Sequence, residues 1–202
     1  MRDAHFCSSS LRSETEMAKI TPAKIKYKEI VVPEMKKVFG YTNDLAVPRI
    51  KKCVVNVGTG KIIKETEKIE EIIHSLTEIC GQKPIKTRAK KAIAGFKIRV
   101  GLEIGVKVTL RGQMMWNFID HLINFALPRT RDFQGIELKS IDDSGNMNLG
   151  IKEHIIFPEI SPEKVKNIFS FQINITTTAK NKKEAIEFFK LMGFPIENKL
   201  KN

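Results

Sequence analysis

The chain has 202 residues, of which 42% are hydrophobic and 29% are charged, a composition that excludes global disorder and fits one well-packed domain. Lysine and arginine number 35 against 23 acidic residues, so the net charge is +12, which indicates a polyanionic partner. Because no apolar run reaches the ~18–20 residues that a membrane-spanning helix needs, a nucleic acid is favoured over a membrane.

The first twenty residues are polar and lack the apolar core of a secretory signal. They also contain Asp3, Glu14 and Glu16, whereas a mitochondrial presequence is poor in acids. We therefore expect residues 1–20 to form a mobile N-terminal extension and residues 21–202 to form a single domain.

The first predicted elements are a helix and a strand. Thr21 and Pro22 suit a helix start, and the helix, whose apolar residues are unevenly spaced, is expected to end at Gly40. A loop over 43–48 then leads to a strand over 49–57, which is rich in β-branched residues.

The middle of the chain has the clearest patterns. Apolar residues at three-and-four spacing predict an amphipathic helix over 66–80, which Gly81 ends. A basic loop over 82–91 follows. Alternating apolar and polar residues then predict two strands, over 94–100 and 103–111.

The last third of the chain begins with a predicted helix over 115–126, which stops at Pro128. Residues 129–162 are rich in Gly, Asp, Asn and Pro, which indicates loops around short strands. A strand over 171–175 and a helix over 185–192 complete the order. This mixture favours an α+β fold, with a mainly antiparallel sheet and helices packed on one face.

The basic charge is concentrated between residues 83 and 111. This stretch contains nine bases and one acid, Glu103, so it carries +8 of the chain's +12. A solvated surface normally interleaves acids with bases, and the self-repulsion of this stretch would be relieved by a phosphate backbone. The bases are Lys83, Lys86, Arg88, Lys90, Lys91, Lys97, Arg99, Lys107 and Arg111.

The strand period places some of these bases together. Lys97 and Arg99 share one face of their predicted strand, and the next strand presents three polar side chains on one face. Those three are Lys107, Thr109 and Arg111. If the two strands pair, they form a basic sheet face, edged by the loop 82–91, that suits the shallow minor groove of folded RNA. The alternative is the ordinary polar outer face of a half-buried sheet.

No pattern in the sequence points to catalysis, a cofactor or a metal. The run Gly58-Thr59-Gly60-Lys61 follows a strand, but Ile63 stands where a dinucleotide fingerprint needs glycine, and the P-loop pattern is incomplete, so we interpret it as a turn. Asp142 and Asp143 lie in a segment where aspartates cap turns. The histidines are scattered, with His74 and His121 expected off the apolar helix faces; they are His5, His74, His121 and His154.

Three cysteines, Cys7, Cys53 and Cys80, form no CxxC pair. Cys53 lies in an apolar strand and Cys80 at the end of an apolar helix stripe, so we interpret them as reduced core thiols of a protein in a reducing compartment.

Ten motifs along the chain carry a family resemblance. They are Val47-Pro48-Arg49-Ile50, Asn56-Val57-Gly58, Gly81-Gln82-Lys83-Pro84, Thr87-Arg88-Ala89-Lys90-Lys91, Ile93-Ala94-Gly95-Phe96-Lys97-Ile98-Arg99, Lys107-Val108-Thr109-Leu110-Arg111-Gly112, Arg131-Asp132-Phe133, Gly150-Ile151-Lys152-Glu153, Ile156-Phe157-Pro158-Glu159-Ile160 and Thr176-Thr177-Thr178-Ala179-Lys180. In this order they resemble the universal large-subunit ribosomal protein that binds 5S rRNA, the bacterial L-five family. The resemblance covers 22–196.

The resemblance implies an α+β fold and a structural, non-enzymatic role in the central protuberance of the large ribosomal subunit. Asn56, Gln82 and Thr109 match family positions that contact 5S rRNA through hydrogen bonds. The loop 82–92 matches the one that reaches toward peptidyl-site tRNA, and 140–147 matches the region that faces the small-subunit head.

Two places depart from the family. Asp143-Ser144-Gly145-Asn146-Met147 stands where the family has Gly-Arg-Gly-Asn and an aromatic residue, so the arginine and the aromatic ring are missing from the inter-subunit region. Phe169-Ser170 replaces an Arg-Gly pair.

The pattern and the resemblance together predict an RNA-binding surface. Its residues are Asn56, Gln82, Lys83, Thr87, Arg88, Lys90, Lys91, Phe96, Lys97, Arg99, Lys107, Thr109 and Arg111. Phe96 stacks on an unpaired base if it is exposed and belongs to the core if it is not. The expected partners are 5S rRNA, adjoining large-subunit rRNA, peptidyl-site tRNA and other ribosomal proteins, one of them in the small-subunit head. The expected location is a cytoplasmic ribosome, with an organellar ribosome as the alternative.

Two other classes remain open at this point. An enzyme that acts on nucleic acid would need a carboxylate cluster for metal, or a base beside a nucleophile. An interaction protein for an acidic partner would share the sensitivity to salt but would not select one RNA over another.

Overall fold

The computed structural model describes residues 22–197, apart from 61, 63, 64, 97, 132, 162, 164 and 166. The predicted extension over residues 1–20, with Cys7 and His5, lies outside the described residues, and so does Lys97. In the part that is described, no helix is both long and apolar enough to cross a membrane.

Helices make up one layer of the molecule. The first helical run begins at Ala23 and ends at Gly40, which has the positive φ of 68° that suits glycine. Its middle is a π-helical turn, and the extra residue in that turn accounts for the uneven apolar spacing. The segments are α1 (Ala23–Lys26), the π-turn Tyr27–Val31, α2 (Val32–Phe39), α3 (Thr66–Cys80), α4 (Gly112–His121), the π-turn Leu122–Ala126, α5 (Leu127–Arg129) and α6 (Lys182–Met192).

Five strands form one antiparallel sheet. They are β1 (Ile50–Gly58), β2 (Ile85–Arg88), β3 (Glu103–Leu110), β4 (Met147–Ile151) and β5 (Phe171–Thr177), in the spatial order β2-β3-β1-β5-β4. All four neighbouring pairs are antiparallel. The predicted α+β fold, with an antiparallel sheet and helices on one face, is confirmed.

One predicted strand is wrong. Residues 94–96 form a short 3₁₀ turn, and an isolated bridge joins Ile93 to Ile98 across it. On the side of β3 away from β1, its partner is β2, which lies inside the predicted basic loop. The alternation over 94–100 predicted a strand, but an alternating segment forms a strand only where its backbone can pair with a neighbouring strand. Here β2 already pairs with that edge of β3.

The core lies between the sheet and the helices. Alternating residues of the strands point into it, such as Cys53, Val55 and Val57 of β1, and the helices contribute large buried side chains such as Phe188 and Phe189 of α6. Burial of the apolar face drives the packing of the two layers.

Cys53 and Cys80 are both free and buried, which confirms that they are core residues. Burial raises the pKa of Cys80 to about 12 and raises that of Cys53 as well, because an apolar environment disfavours the thiolate. Both thiols are therefore held in their protonated, unreactive form.

Candidate nucleic-acid interface

The second face of the sheet, which we call the open face, looks away from the helices. Its residues alternate with those that enter the core, and they are exposed or half-buried, except for Gly105, which the side chain of Thr87 covers. They are Val54, Asn56 and Gly58 of β1, Ile85 and Thr87 of β2, Gly105, Lys107 and Thr109 of β3, Asn148 and Gly150 of β4, and Gln172, Asn174 and Thr176 of β5.

A row of side chains crosses all five strands of the open face. The register pairs Lys107 with Ile85 on one side and with Asn56 on the other, and Asn56 in turn pairs with Gln172, which faces Gly150. Neighbouring strands lie ~4.8 Å apart, so the row is ~19 Å long. A cation and two amides thus form a continuous polar line.

A second row lies two residues along the strands. Thr109 is the partner of Val54, which pairs with Asn174, and Asn174 pairs with Asn148. The Nδ2 group of Asn174 donates a hydrogen bond to Oδ1 of Asn148. This bond holds the amides of β4 and β5 in fixed positions on the open face.

The charge of the strands is almost entirely positive. Their one acid is Glu103, whose Oε2 lies 3.2 Å from Nζ of Lys86. The bases of the five strands are Lys51, Lys52, Lys86, Arg88 and Lys107. A polyanion on this face therefore meets no unpaired carboxylate from the strands, which is the electrostatic requirement for RNA.

The connection between β2 and β3, residues 89–102, forms a closed basic hairpin. Its base is held by two backbone hydrogen bonds, from Ala89 N to the Leu102 oxygen (2.8 Å) and from Gly101 N to the Ala89 oxygen (3.0 Å). Phe96, at its tip, is 75% exposed, which decides between the two alternatives left open for this ring. Among the described residues of the hairpin, the exposed bases are Lys90, Lys91 and Arg99.

The remaining predicted residues lie at the margins. Gln82 and Lys83 are exposed in the connection between α3 and β2, directly after Gly81, which has a positive φ of 65°. Arg88 is exposed at the end of β2, and Arg111 is exposed where β3 passes into α4.

The structure brings together only part of the predicted set. Asn56, Thr87, Lys107 and Thr109 share the open face, and the described bases of the hairpin lie outside it. The expectation that Arg99 shares a strand face with Lys107 was wrong, because Arg99 lies in the hairpin and not in a strand. The corresponding expectation for Lys97 falls outside the described residues.

Sequence reasoning missed the contribution of β4 and β5. Gln172, Asn174, Asn148 and Gly150 complete the open face, and none was among the predicted residues. The alternation of Gln172 and Asn174 with apolar neighbours was a usable signal for an exposed strand face. It did not reveal that β5 lies next to β1.

The aspartates and histidines that were considered as catalytic or metal-binding groups show no arrangement for either role in the described residues. Asp142 accepts hydrogen bonds from the backbone N–H (2.6 Å) and side-chain Nδ2 (3.0 Å) of Asn146, which confirms its role in capping a turn. His74 and His121 are exposed, as expected. Within the described residues, no group of three His, Cys, Asp or Glu could hold a metal ion.

Thr59, in the glycine-flanked turn after β1, is buried, and its N–H donates to the oxygen of Ile104 (3.0 Å). An N–H group that is committed to a backbone oxygen does not serve as a free phosphate donor. Lys61 of the same motif lies outside the described residues.

The chain matches two family models. Residues 43–99 match the model of ribosomal protein L5, and residues 103–196 match the model of the C-terminus of the same ribosomal protein family. Together the two matches span the whole sheet and most of the helical layer.

Individual relatives are similar over most of the chain, and each carries the name large ribosomal subunit protein uL5. The one from Halothermothrix orenii is 49% identical over 84% of this chain and 95% of its own length. The one from Cupriavidus metallidurans is 51% identical over 85% and 96%. The one from Kosmotoga olearia is 49% identical over 87% and 96%.

Proposed function

Because the chain belongs to the ribosomal protein L5 family, whose members are structural constituents of the large ribosomal subunit and not enzymes, we propose that it binds 5S rRNA through the open face of its sheet. The observation that carries this proposal is the placement of Asn56, Lys107 and Thr109 on adjacent strands of one exposed face.

The proposed binding separates affinity from selectivity. Lysine and arginine side chains neutralise phosphates and release counterions, which provides affinity that falls with salt. The amides and hydroxyls of Asn56, Gln82 and Thr109 form hydrogen bonds with sugars and base edges, which depend on the shape of the RNA. No turnover takes place, since the protein acts by holding the RNA.

A second RNA contact is proposed for the basic hairpin 89–102. Its described bases and the ring of Phe96 are exposed and lie in the connection between β2 and β3, not in the strands of the open face, so they can contact a second RNA while the face holds 5S rRNA. We assign peptidyl-site tRNA to this hairpin. Adjoining large-subunit rRNA is assigned to Arg88 and Arg111, which lie near opposite ends of β3.

The contact with the small-subunit head is proposed for residues 140–147. Here Asp142 shapes the turn, and the side chain of Asp143 is fully exposed. Ser144 stands where the family has arginine, and the exposed carboxylate of Asp143 beside it suits a basic segment of a ribosomal protein. We further infer that the ribosome concerned is cytoplasmic, with an organellar ribosome as the alternative.

The test is the affinity for 5S rRNA compared with an unrelated structured RNA of equal length, measured across a salt series. We expect 5S rRNA to bind at least tenfold more tightly, about 1.4 kcal/mol, and the difference to persist as salt rises. Equal binding of the two RNAs, with an equal decline in salt, would overturn the assignment to 5S rRNA.

A further inference from the structure

The open face contains a depression on the β4 side that lies beyond the predicted RNA-binding residues, of which it includes only Asn56. Its volume is about 470 Å³, and its rim and floor include Asn56, Gly58, Gly150, Lys152, Ser170 and Gln172. Sites for small molecules usually measure ~300–1,000 Å³, so the depression is large enough to hold one unit of a polymer.

The floor of the depression is made by two strand glycines, Gly58 and Gly150. Neither has a positive φ, and a Cβ atom added to either would have no atom within 4 Å. Neither the backbone nor the packing therefore requires glycine at these positions. Glycine within a strand weakens it by ~0.5–1 kcal/mol and often marks a place where a ligand approaches the backbone closely.

The walls supply polar groups to which no other described side chain is bonded. Asn56 and Gln172 are direct cross-strand partners with exposed side chains, and Ser170 and Lys152 are exposed beside them. The structure gives these four side chains no hydrogen bond or ion pair with another described residue. Amides and a hydroxyl can donate to and accept from a ribose 2′-hydroxyl, and an ammonium group attracts a phosphate.

The chemistry of the lining favours the RNA backbone over a stacked base. Among the described residues that line the depression, the one aromatic is Phe171, which is 4% exposed and belongs to the core. A base would need an exposed ring to stack on, whereas a sugar and its phosphate need hydrogen bonds and a cation.

We propose that this depression is a subsite for one ribose–phosphate unit of RNA, held by Asn56, Gln172 and Ser170 at the sugar and by Lys152 at the phosphate. The proposal rests on the proposed function and extends the contact with 5S rRNA from β1 and β3 across β5 to β4. Because Gly58 and Gly150 have no side chains, the sugar can approach the backbone of β1 and β4 closely.

The experiment compares wild type with Gly150→Val and Gln172→Ala in 5S rRNA affinity and in hydroxyl-radical footprinting, which reports the exposure of each ribose. Valine suits a strand and has open space at residue 150, so this variant is expected to fold normally, which a thermal melt checks. Gln113→Ala is the matched control, because it removes the same amide from an exposed position on α4 in the helical layer.

We expect both variants to bind 5S rRNA at least fivefold more weakly and to lose protection at the same short stretch of nucleotides, while other protections and the Gln113→Ala variant are unchanged. If wild type selects 5S rRNA but the two variants bind and protect it equally well, the subsite is refuted and the proposed function stands. Unchanged RNA binding combined with failure of Gly150→Val to enter large subunits would assign the depression to a protein and also refute the subsite. If wild type itself does not select 5S rRNA, the proposed function fails, and this inference fails with it.

Discussion

Asn56 of β1 and Lys107 of β3 are direct cross-strand partners, although one comes from a neutral strand end and the other from the basic stretch of the chain. Directly opposed side chains on one face lie ~4.5–5.5 Å apart at Cβ, so an amide and an ammonium group meet the same part of a ligand. The proposed RNA contact therefore has a group suited to selectivity beside a group suited to affinity.

Replacing Gln82 and Thr109 together by alanine should weaken binding to 5S rRNA more than binding to a random RNA duplex. Each lost hydrogen bond is worth ~0.5–1.5 kcal/mol, so we expect a loss of about tenfold on 5S rRNA. The measurement is a titration of both RNAs with wild type and variant. Equal losses on the two RNAs would mean that these residues contribute no selectivity.

Charge reversal in the hairpin, Lys90→Glu with Lys91→Glu, should impair tRNA contact and leave 5S rRNA affinity nearly unchanged. Both residues are exposed and lie in the hairpin, not in a strand of the open face. The control is Lys28→Glu with Lys183→Glu, which makes the same charge change at exposed positions of the helical layer. A collapse of 5S rRNA binding in the hairpin variant alone would show that the two surfaces are not separate.

Phe96→Ala should weaken the contact with tRNA by ~1–3 kcal/mol if the ring stacks on a base. The ring is 75% exposed, so the free energy of unfolding should change by no more than ~0.5 kcal/mol. Phe96→Ile distinguishes stacking on a base from simple apolar contact, because it keeps an apolar side chain without a ring. Full tRNA affinity in the isoleucine variant would rule out stacking.

Asp142→Ala should destabilise the fold by about 1–2 kcal/mol, because it removes two hydrogen bonds from Asn146 to a carboxylate. Asp143→Ala is the matched control, since that neighbouring side chain is fully exposed and lies 3.9 Å from Lys182. Chemical denaturation measures both. Similar effects of the two substitutions would show that the capping bonds do not stabilise the turn.

Stability should fall as the pH drops below about 6.5, in part because of His154. This side chain is 1% exposed and stacks on Phe169 with 4.0 Å between ring centroids, and burial lowers its pKa from 6.5. The unfolded chain therefore takes up a proton at a higher pH than the folded chain, so the stabilisation present above 6.5 is lost as the pH falls through the folded value.

His154→Gln removes this proton uptake, so its free energy of unfolding should depend less on pH between 7.5 and 5 than that of wild type. An unaltered slope in His154→Gln would mean that other groups cause the loss of stability.

Much of the fold was predictable because its elements bury one face each. The three-and-four spacing over 66–80 marked α3 at its observed bounds, and the alternation over 103–111 marked β3 to within one residue. Positive charge between 83 and 111 likewise indicated RNA, since charge is additive along a sequence and needs no fold to be counted.

The arrangement of the strands was decided only by the tertiary structure. Periodicity tells which side chains of a strand share a face, but it carries no information about the neighbour of that strand, so the pairing of β3 with β2 was missed. For the same reason, the addition of Gln172 and Gly150 to the row that begins at Lys107 was not foreseen. Strand order depends on which pairing of distant segments best buries the apolar faces of the sheet and the helices. Local sequence patterns contain no information about that pairing.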